Sequence, residues 1–358
     1  MREGFSLYGL LRPLLFRLNP ELSHRLTIAL MSSGAHRLLR DRYDPPQLHT
    51  RLWGMEFRNP LGLAAGADKD ARAVRGWEAL GFGFAELGTI TPRPQPGNPA
   101  PRIWRLENQR ALINRLGFPS AGMAAARVRM ERVQGIGLSM RVGLNFGPNK
   151  ETPADRVVDD YAALMARLGA MADFVVVNIS SPNTAGLREW QAPERIRAIV
   201  DTLHAAPFVG PARPPLLIKI APDLEDSMVE QVCVTAIELR LDGIVATNTT
   251  VARDEIGVTS AYPGGLSGEP LKARARAVIA ACRAHTRGRI PIIGAGGIAS
   301  AEDAYDVIRA GASLIELYTA MIYHGPGVVG SIKRGLVRLL TRDGFRSISE
   351  AVGNVADR

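Results

Sequence analysis

Cysteine is scarce in this chain of 358 residues, which holds only Cys233 and Cys282, each in a helix-like stretch and far from the other. Two such cysteines exclude a disulfide framework and give no sign of a metal cluster, so we predict no metal site and a reducing compartment. The sequence also lacks a run of about 18 uncharged apolar residues and the pattern of a secretory signal. We therefore expect a chain that is soluble or peripheral to a membrane.

Recognisable nucleic-acid modules are missing as well, although the chain is basic. It carries 44 lysines and arginines against 35 acidic residues, a formal net charge of +9. Such an excess favours anionic partners, which include nucleic acid, acidic lipid headgroups and small acids. The basic residues are scattered rather than gathered with aromatic residues, so we predict no nucleic-acid partner.

From about Pro60 onward, short apolar runs alternate with longer amphipathic stretches, as parallel strands and crossover helices do. The predicted strands are 61–65, 84–88, 142–146, 174–179, 216–220, 243–247, 290–294 and 313–317. Helices are expected between them, for example at 155–171, at 224–240 and at 301–310 behind a Ser300 cap. Eight alternations predict an α/β fold, the (β/α)8 TIM barrel. A doubly wound open sheet is the structural alternative, but it usually has fewer strands.

A TIM barrel uses about 250 residues, so part of this chain must lie outside it. We assign 46–358 to the barrel and 1–45 to a small N-terminal helical extension. The extension has leucines at helical spacing, a second helix-like stretch after Asn19 and Pro20, and seven arginines but no lysine in its first 42 residues. The leucines are Leu7, Leu11, Leu14, Leu15 and Leu18. This pattern predicts amphipathic helices on an anionic lipid surface, and a helix pair packed on the barrel is an equally open alternative.

Residues 91–122 form a long segment between the second predicted strand and its helix, with five prolines before Ile103. Barrels carry functional loops after their strands, so we expect this segment to cover the site.

A polar motif directly follows the fourth predicted strand, where a barrel has its catalytic rim. It reads Asn178, Ile179, Ser180, Ser181, Pro182, Asn183, Thr184. Amides there can hold a planar carboxylate or carbonyl ligand, and a serine hydroxyl can move a proton. A helix-capping turn is the alternative interpretation, since turns use the same residues. The motif contains no His, Asp or Glu, which disfavours a hydrolase-type triad.

Other strand ends supply glycines, amides and lysines that suit a phosphorylated cofactor and an acidic substrate. Backbone N–H groups at glycines can approach phosphate, and loops after the seventh and eighth strands are the usual phosphate grip of these barrels. The segments are Ala64 to Lys69, Lys219, Thr247 to Thr249, and Gly294 to Gly297.

Together these segments resemble the dihydroorotate dehydrogenase family, over residues 24–319 and with further family-like stretches at 91–102 and 114–118. Ser181 resembles the base of the quinone-linked class 2 branch, whereas the cytosolic class 1 branch carries cysteine. A class 1-like enzyme that uses fumarate or a nicotinamide cofactor is the alternative enzyme. A non-catalytic flavin-binding barrel and a membrane-surface scaffold are alternatives of other classes. The chain departs from the family pattern at Pro148 and Ala67, which bears on local loop geometry.

The resemblance implies one non-covalent FMN over the barrel mouth and dihydroorotate or orotate beside it. The implied FMN contacts are Ala65, Gly66, Ala67, Asp68, Lys69, Thr89, Asn145, Asn178, Lys219 and Thr247, with the phosphate near Gly268, Gly297, Tyr318 and Thr319. The implied substrate contacts are Lys69, Asn114, Arg115, Leu116, Gly117, Phe118, Asn178, Asn183, Asn248 and Thr249.

By the same resemblance, Ser181 takes the C5 proton, with Thr184 and an ordered water as the relay, while a hydride leaves C6 for flavin N5. A membrane quinone then reoxidises the flavin through a tunnel near His24, Arg102 and Tyr318. The implied reaction belongs to pyrimidine (UMP) biosynthesis. We expect a monomer, peripheral at the cytoplasmic face of a bacterial inner membrane.

Overall fold

The computed structural model describes residues 7–256 and 262–354. The first six residues of the predicted extension and the side chain of Leu7 therefore lie outside the described part of the chain.

The strands are β1 (Thr50–Leu52), β2 (Met55–Phe57), β3 (Leu61–Leu63), β4 (Phe84–Ile90), β5 (Ile103–Leu106), β6 (Ala111–Asn114), β7 (Arg141–Phe146), β8 (Phe174–Asn178), β9 (Leu216–Ile220), β10 (Gly243–Ala246), β11 (Gly265–Gly268), β12 (Ile292–Ala295) and β13 (Leu314–Leu317). The α-helices are α1 (Leu7–Arg17), α2 (Pro20–Ser32), α3 (Val74–Ala79), α4 (Gly122–Gln134), α5 (Val157–Leu168), α6 (Pro193–Ala205), α7 (Asp226–Glu238), α8 (Lys272–Thr286), α9 (Ala301–Arg309), α10 (Thr319–His324), α11 (Val328–Arg342) and α12 (Ile348–Ala351). Short 3-10 helices lie at Gly34–Leu39, Pro46–Leu48, Glu107–Gln109, Ala154–Arg156, Gly169–Met171, Leu187–Gln191, Asp254–Ile256 and Glu269–Leu271.

Eight of these strands close into one parallel barrel in the order β3, β4, β7, β8, β9, β10, β12, β13. Each strand pairs with the next strand of the barrel in chain order, and β13 closes the ring on β3 through the pair Ile315 and Leu61. The predicted TIM barrel is therefore confirmed, and closure excludes the open sheet. The Ser300 cap is also present, because its side chain accepts from the Asp303 backbone amide while Asp303 reaches back.

Aromatic rings fill the lower end of the barrel interior. An added Cβ at Gly62 would lie 2.2 Å from the Phe84 ring, and one at Gly143 would lie 2.2 Å from the Phe174 ring. Glycine at these two strand positions therefore makes room for the rings. The antiparallel hairpin of β1 and β2 closes this end, and Trp53 in its turn packs on Phe174 at 5.7 Å between ring centroids.

The segment 91–122 contains structure that the sequence pattern did not predict. Its strands β5 and β6 form an antiparallel pair, and β11 joins them in a three-stranded sheet beside the barrel mouth. The pairing of β6 with β11 joins parts of the chain about 150 residues apart, for example Ile113 with Leu266.

The described part of the N-terminal extension contains the two predicted helices, and Asn19 caps α2 by accepting from the Glu21 and Leu22 amides. Helix α1 is held to the barrel by Tyr8, whose hydroxyl donates to the Ile322 carbonyl at 2.6 Å, and by Phe16, which packs edge-on against Tyr323. Its apolar stripe remains exposed: Leu10 and Leu14 are 60% and 58% accessible. In the described ranges no helix combines the length and apolarity needed to cross a bilayer.

The extension and the barrel are joined at a buried lysine. Lys333 of α11 is fully buried and pairs with Asp41 at 2.9 Å and Asp44 at 3.1 Å. Asp44 also accepts from Asn59 Nδ2 at 2.6 Å, just before β3. A buried ammonium needs such partners, so residues 41–44 are anchored to the barrel.

Candidate active site

A cavity opens at the carboxyl ends of the barrel strands, the end at which TIM barrels carry their sites. Most of the predicted site residues line it. They are Ala65, Gly66, Lys69, Thr89, Asn114, Leu116, Gly117, Phe118, Asn178, Ser181, Asn183, Lys219, Thr247, Asn248, Thr249, Gly268, Gly297, Tyr318 and Thr319. Further lining residues that the sequence did not single out include Arg110, Ser267, Glu316 and Tyr323.

Several predicted residues lie outside this lining. Asp68 is buried and accepts from the Arg72 and Ala73 amides at 2.8 Å, so its carboxylate holds the loop after β3. Ala67 is buried beside it. Arg115 turns outward to the carbonyls of Pro99 and Pro101 at 3.1 Å. The sequence could not separate these residues from their cavity-lining neighbours, because all of them share the same loops.

Three amide side chains and the Thr89 hydroxyl form a connected network across the rim and the upper barrel. Asn178 Nδ2 donates to Thr89 Oγ1 at 3.0 Å and to Asn145 Oδ1 at 3.3 Å. Asn248 Nδ2 donates to Asn178 Oδ1 at 3.3 Å. Asn145 lies beneath the lining and holds Asn178 in place. Buried amides are costly unless they are bonded, so this network fixes the orientation of those that face the cavity.

Asn183 and Asn114 meet on the other side of the cavity. Asn183 Nδ2 donates to Asn114 Oδ1 at 3.1 Å, whereas Asn183 Oδ1 is buried and has no hydrogen-bond partner among the described residues. An orphaned buried acceptor costs free energy unless a donor reaches it. A ligand that presents an N–H group here would satisfy it.

Ser181 lies at the start of the turn after β8 and is 5% exposed. Ser181 lines the cavity, and its Oγ accepts from the backbone amide of Asn183 at 3.3 Å. Thr184 follows in the same turn, is half-buried and does not line the cavity. The turn therefore presents one hydroxyl to the cavity, with its oxygen oriented by a backbone donor.

Lys69 supplies a cation to the rim. Its Nζ donates to the Gly66 carbonyl at 2.6 Å. Burial lowers the pKa of the Lys69 ammonium to about 8, although Asp70 and Asp68 oppose this shift. An anionic ligand beside Nζ would favour the charged form, so the position suits a carboxylate.

The floor of the cavity holds three ionisable side chains from three strands: Glu86 of β4, Lys219 of β9 and Glu316 of β13. Lys219 Nζ lies 3.1 Å from Glu86 Oε2 and 3.2 Å from Glu316 Oε2. Burial alone would lower the pKa of Lys219, but attraction to Glu316 and Glu86 outweighs it and the pKa is raised. Of these three residues, only Lys219 was predicted from the sequence. A lone Glu within each of the apolar runs Phe84–Ile90 and Leu314–Leu317 was the available signal.

The three residues assigned to quinone access lie on three different segments of the chain. Tyr318 lines the cavity, and burial raises its pKa to about 12. His24 on α2 is half-buried, and burial together with Lys69 and Arg72 lowers its pKa to about 3, so the ring is neutral. Arg102 pairs with Glu21 of α2 through Nε and NH2, both at 3.0 Å. That pair ties the segment 91–122 to the extension, and Glu21 was not anticipated.

The loops after β11, β12 and β13 meet at one side of the cavity. Gly297 has φ +72°, and an added Cβ would lie 2.4 Å from the Lys272 Cα, so glycine is required there by close chain packing. Gly268, Gly297 and Thr319 all line the cavity. Loops after the last two strands are where these barrels grip phosphate, so the residues present fit a phosphorylated cofactor.

Comparison with known proteins agrees with this geometry. The family described as dihydroorotate dehydrogenase matches residues 47–340. The dihydroorotate dehydrogenase (quinone) of Roseiflexus sp. is 47% identical over 97% of this chain and 98% of its own length, and that of Mycobacterium marinum is 47% identical over 98% and 99%. The crystal structure of ligand-free DHODH from Eimeria tenella has a TM-score of 0.89 at 39% identity and covers 95% of this chain and 100% of that one. The structure of that enzyme with ferulenol also has a TM-score of 0.89. Because the family matches most of this chain and the relatives span nearly all of it, this chain belongs to the dihydroorotate dehydrogenase family.

Proposed function

We propose that this chain oxidises dihydroorotate to orotate in pyrimidine biosynthesis, holds one FMN without a covalent bond, and returns the electrons to a membrane quinone. The observation that carries the proposal is the cavity itself. It brings the Ser181 hydroxyl, four asparagine amides and the Lys69 ammonium to one rim above a buried Lys219. The names of the relatives support the same reaction and acceptor.

Substrate binding uses the amides and Lys69. The dihydroorotate ring offers both N–H donors and carbonyl acceptors, and an asparagine side chain can satisfy either. Asn183 Oδ1, which has no partner in the part of the chain that the structure describes, accepts from a ring N–H. Lys69 and the amides of Asn114 and Asn248 hold the carboxylate and carbonyl oxygens. Because the amides are already bonded to one another, little side-chain ordering remains for binding.

Proton removal is assigned to Ser181 Oγ, which takes the proton from C5 of the substrate. A serine hydroxyl needs an outlet for its own proton, and Thr184 with a water is the proposed route. The backbone N–H of Asn183, which donates to Ser181 Oγ at 3.3 Å, stabilises negative charge that develops on that oxygen.

FMN, when bound, supplies the two-electron acceptor for the hydride that leaves C6. The residues that would hold its ring are Ala65, Gly66, Thr89, Lys219 and Thr247, and those at its phosphate would be Gly268, Gly297, Tyr318 and Thr319. A cation at the position of Lys219 favours electron acceptance by a flavin ring above it.

Quinone access is assigned to the extension. The exposed leucines of α1 and α2, with the arginines beside them, form a surface suited to an anionic bilayer at the cytoplasmic face of a bacterial inner membrane. Phe16 and Tyr8 contact α10, whose Tyr323 lines the cavity. His24, Arg102 and Tyr318 would border the path of the quinone head. We expect the enzyme to act as a monomer.

An anaerobic flavin spectrum tests the proposal. Purified protein should be yellow, should bleach on addition of dihydroorotate, and should recover its colour on addition of a short-chain quinone but not of fumarate or an oxidised nicotinamide cofactor. Recovery with fumarate or the nicotinamide cofactor would favour a class 1-like enzyme. Folded protein that binds FMN but does not bleach would be a non-catalytic flavin protein, and folded protein that refuses FMN would overturn the proposal.

A further inference from the structure

The cluster Lys219, Glu86 and Glu316 is the only group of ionisable side chains that the eight barrel strands turn inward. The strands carry one other ionisable residue, Arg141, which lies at the opposite end of β7 and pairs with Asp173 at 3.2 Å. Below the cluster lies an apolar layer that includes Phe84, Phe174 and Leu217. Above it is the cavity, which Lys219 and Glu316 line. The charge of the cluster is therefore bounded by apolar side chains below and faces the cavity above.

Both carboxyl groups are completely shielded from solvent, with 0% side-chain exposure, and Lys219 is 6% exposed. With both carboxylates ionised, the cluster would hold one positive and two negative charges, a net charge of −1. A buried unpaired charge costs several kcal/mol, and the usual response is that one carboxyl binds a proton.

The hydrogen bonds distinguish the two carboxyls. Glu86 receives donors on both oxygens, since Lys219 Nζ lies 3.2 Å from Oε1 and 3.1 Å from Oε2, and Asn145 Nδ2 also donates to Oε1. Glu316 receives one donor, Lys219, on Oε2 at 3.2 Å. Its Oε1 is buried and has no hydrogen-bond partner among the described residues. Donors stabilise the ionised form, so ionisation is favoured at Glu86 and disfavoured at Glu316.

Burial and the neighbouring charge point to the same conclusion. Burial, followed by repulsion from the Glu86 carboxylate, raises the pKa of Glu316 well above its ordinary value. The attraction of Lys219 is not sufficient to reverse this shift.

We propose that Glu316 is a neutral carboxylic acid, so that the floor of the cavity carries one ammonium, one carboxylate and no net charge. Glu316 thereby acts as a positioning residue: it occupies the second side of Lys219 without adding a second negative charge beneath the ligand. The consequence for FMN rests on the proposed function, whereas the proton on Glu316 is a property of the chain itself.

Infrared spectroscopy of the purified protein as isolated detects the proton directly. At neutral pH, where exposed carboxyls are ionised, wild-type protein should show the C=O band of a protonated carboxylic acid, and this band should shift in D2O. The band should be absent from Glu316→Gln. A wild-type spectrum without such a band would overturn the proposal, whether or not FMN is bound and whether or not the variant folds.

The two amide variants and their combination then test the charge. Glu316→Gln replaces a neutral acid by a neutral amide and should lower Tm less than Glu86→Gln, which forces the poorly solvated Glu316 to ionise. Each single variant should change the flavin redox equilibrium by less than tenfold, about 30 mV for a two-electron couple, because one carboxylate remains. The double variant Glu86→Gln/Glu316→Gln should raise the potential by more than that.

If each single variant raises the flavin potential by more than about 30 mV, each has removed a negative charge. Both carboxyls are then ionised and the proposal is wrong. If Glu316→Gln is the more destabilising single variant, the proton does not reside on Glu316. Failure of the protein to bind FMN would contradict the proposed function alone, since the infrared band and the Tm order do not depend on flavin.

Discussion

The cavity and the N-terminal helices differ in which side chains they bury and which they expose. Around the cavity, polar groups are buried and bonded to one another, as with Asn178, Asn145 and Thr89. On α1 and α2, apolar side chains are exposed, with Leu10, Leu14 and Leu30 each at least half accessible. A preorganised polar site suits chemistry, and an exposed apolar face suits lipid. The contrast indicates that substrate oxidation and quinone access can be disturbed separately.

The joint between the two regions limits how that separation can be tested. Deleting residues 1–45 would remove Asp41 and Asp44, both ionic partners of the fully buried Lys333. Removing the partners of a buried charge typically costs about 3–5 kcal/mol, so such a deletion would damage the barrel as well. Substitutions on the exposed face are the cleaner perturbation.

The largest expected effect is on the cavity side. Ser181→Ala should slow reduction of the flavin by dihydroorotate about 10²- to 10⁴-fold, the usual span for loss of a general base, with little change in dihydroorotate affinity. Ser181→Cys should recover part of the rate. Stopped-flow absorbance measures both. An alanine variant as fast as wild type would mean that Ser181 serves only the turn.

The next effect is on the lipid side. Changing Leu10, Leu14, Leu26 and Leu30 together to serine should weaken binding to anionic vesicles about 10³-fold, because each leucine contributes on the order of 1 kcal/mol of apolar burial. All four side chains are exposed, so FMN content and Tm should stay near wild type.

A matched control for the leucine variant exists elsewhere on the surface. Val209 and Val234 are also exposed and lie away from the extension. Their change to serine should leave vesicle sedimentation unaffected. Equal losses in both variants would show that the leucine face is not the lipid surface.

A smaller effect should accompany titration of Lys69. Its pKa is lowered to about 8, and only the ammonium attracts the substrate carboxylate. The ammonium is lost as pH rises through 8, so KM for dihydroorotate should increase above that pH, by about tenfold per unit in the limit. Lys69→Gln should have a high KM that no longer changes around pH 8. A wild-type KM that is flat from pH 7 to 9.5 would remove Lys69 from the substrate site.

The smallest effect is that of salt on the extension. Vesicle binding by the wild type should weaken a few-fold between about 0.01 M and about 0.15 M ionic strength, because the Debye length falls from about 30 Å to about 8 Å. Neutral vesicles should show no such dependence. If binding to anionic vesicles does not depend on salt, the arginines of the extension do not contribute to vesicle binding.

The barrel and most cavity residues could be predicted because they depend on short-range pattern. Apolar runs fix the strands, and a residue such as Asn178 or Ser181 at a strand end must lie at the rim of a barrel. The cluster in the floor depends on closure, which brings Glu86, Lys219 and Glu316 together from strands far apart in sequence. The partners of Lys333 and Arg102 are likewise distant in the chain. No local pattern encodes such contacts, although a single charge inside a buried strand marks where one is needed.

The most direct measurement of the separation between the two regions is stopped-flow observation of both half-reactions in Ser181→Ala and in the four-leucine variant, with vesicle-bound long-chain quinone as acceptor. The account predicts that Ser181→Ala is slow in reduction by dihydroorotate and normal in reoxidation. The leucine variant should be normal in reduction and slow in reoxidation by vesicle-bound quinone, but normal with a short-chain quinone in solution. The account would be contradicted if both variants were slow in the same half-reaction, or if neither variant were slow in either half-reaction.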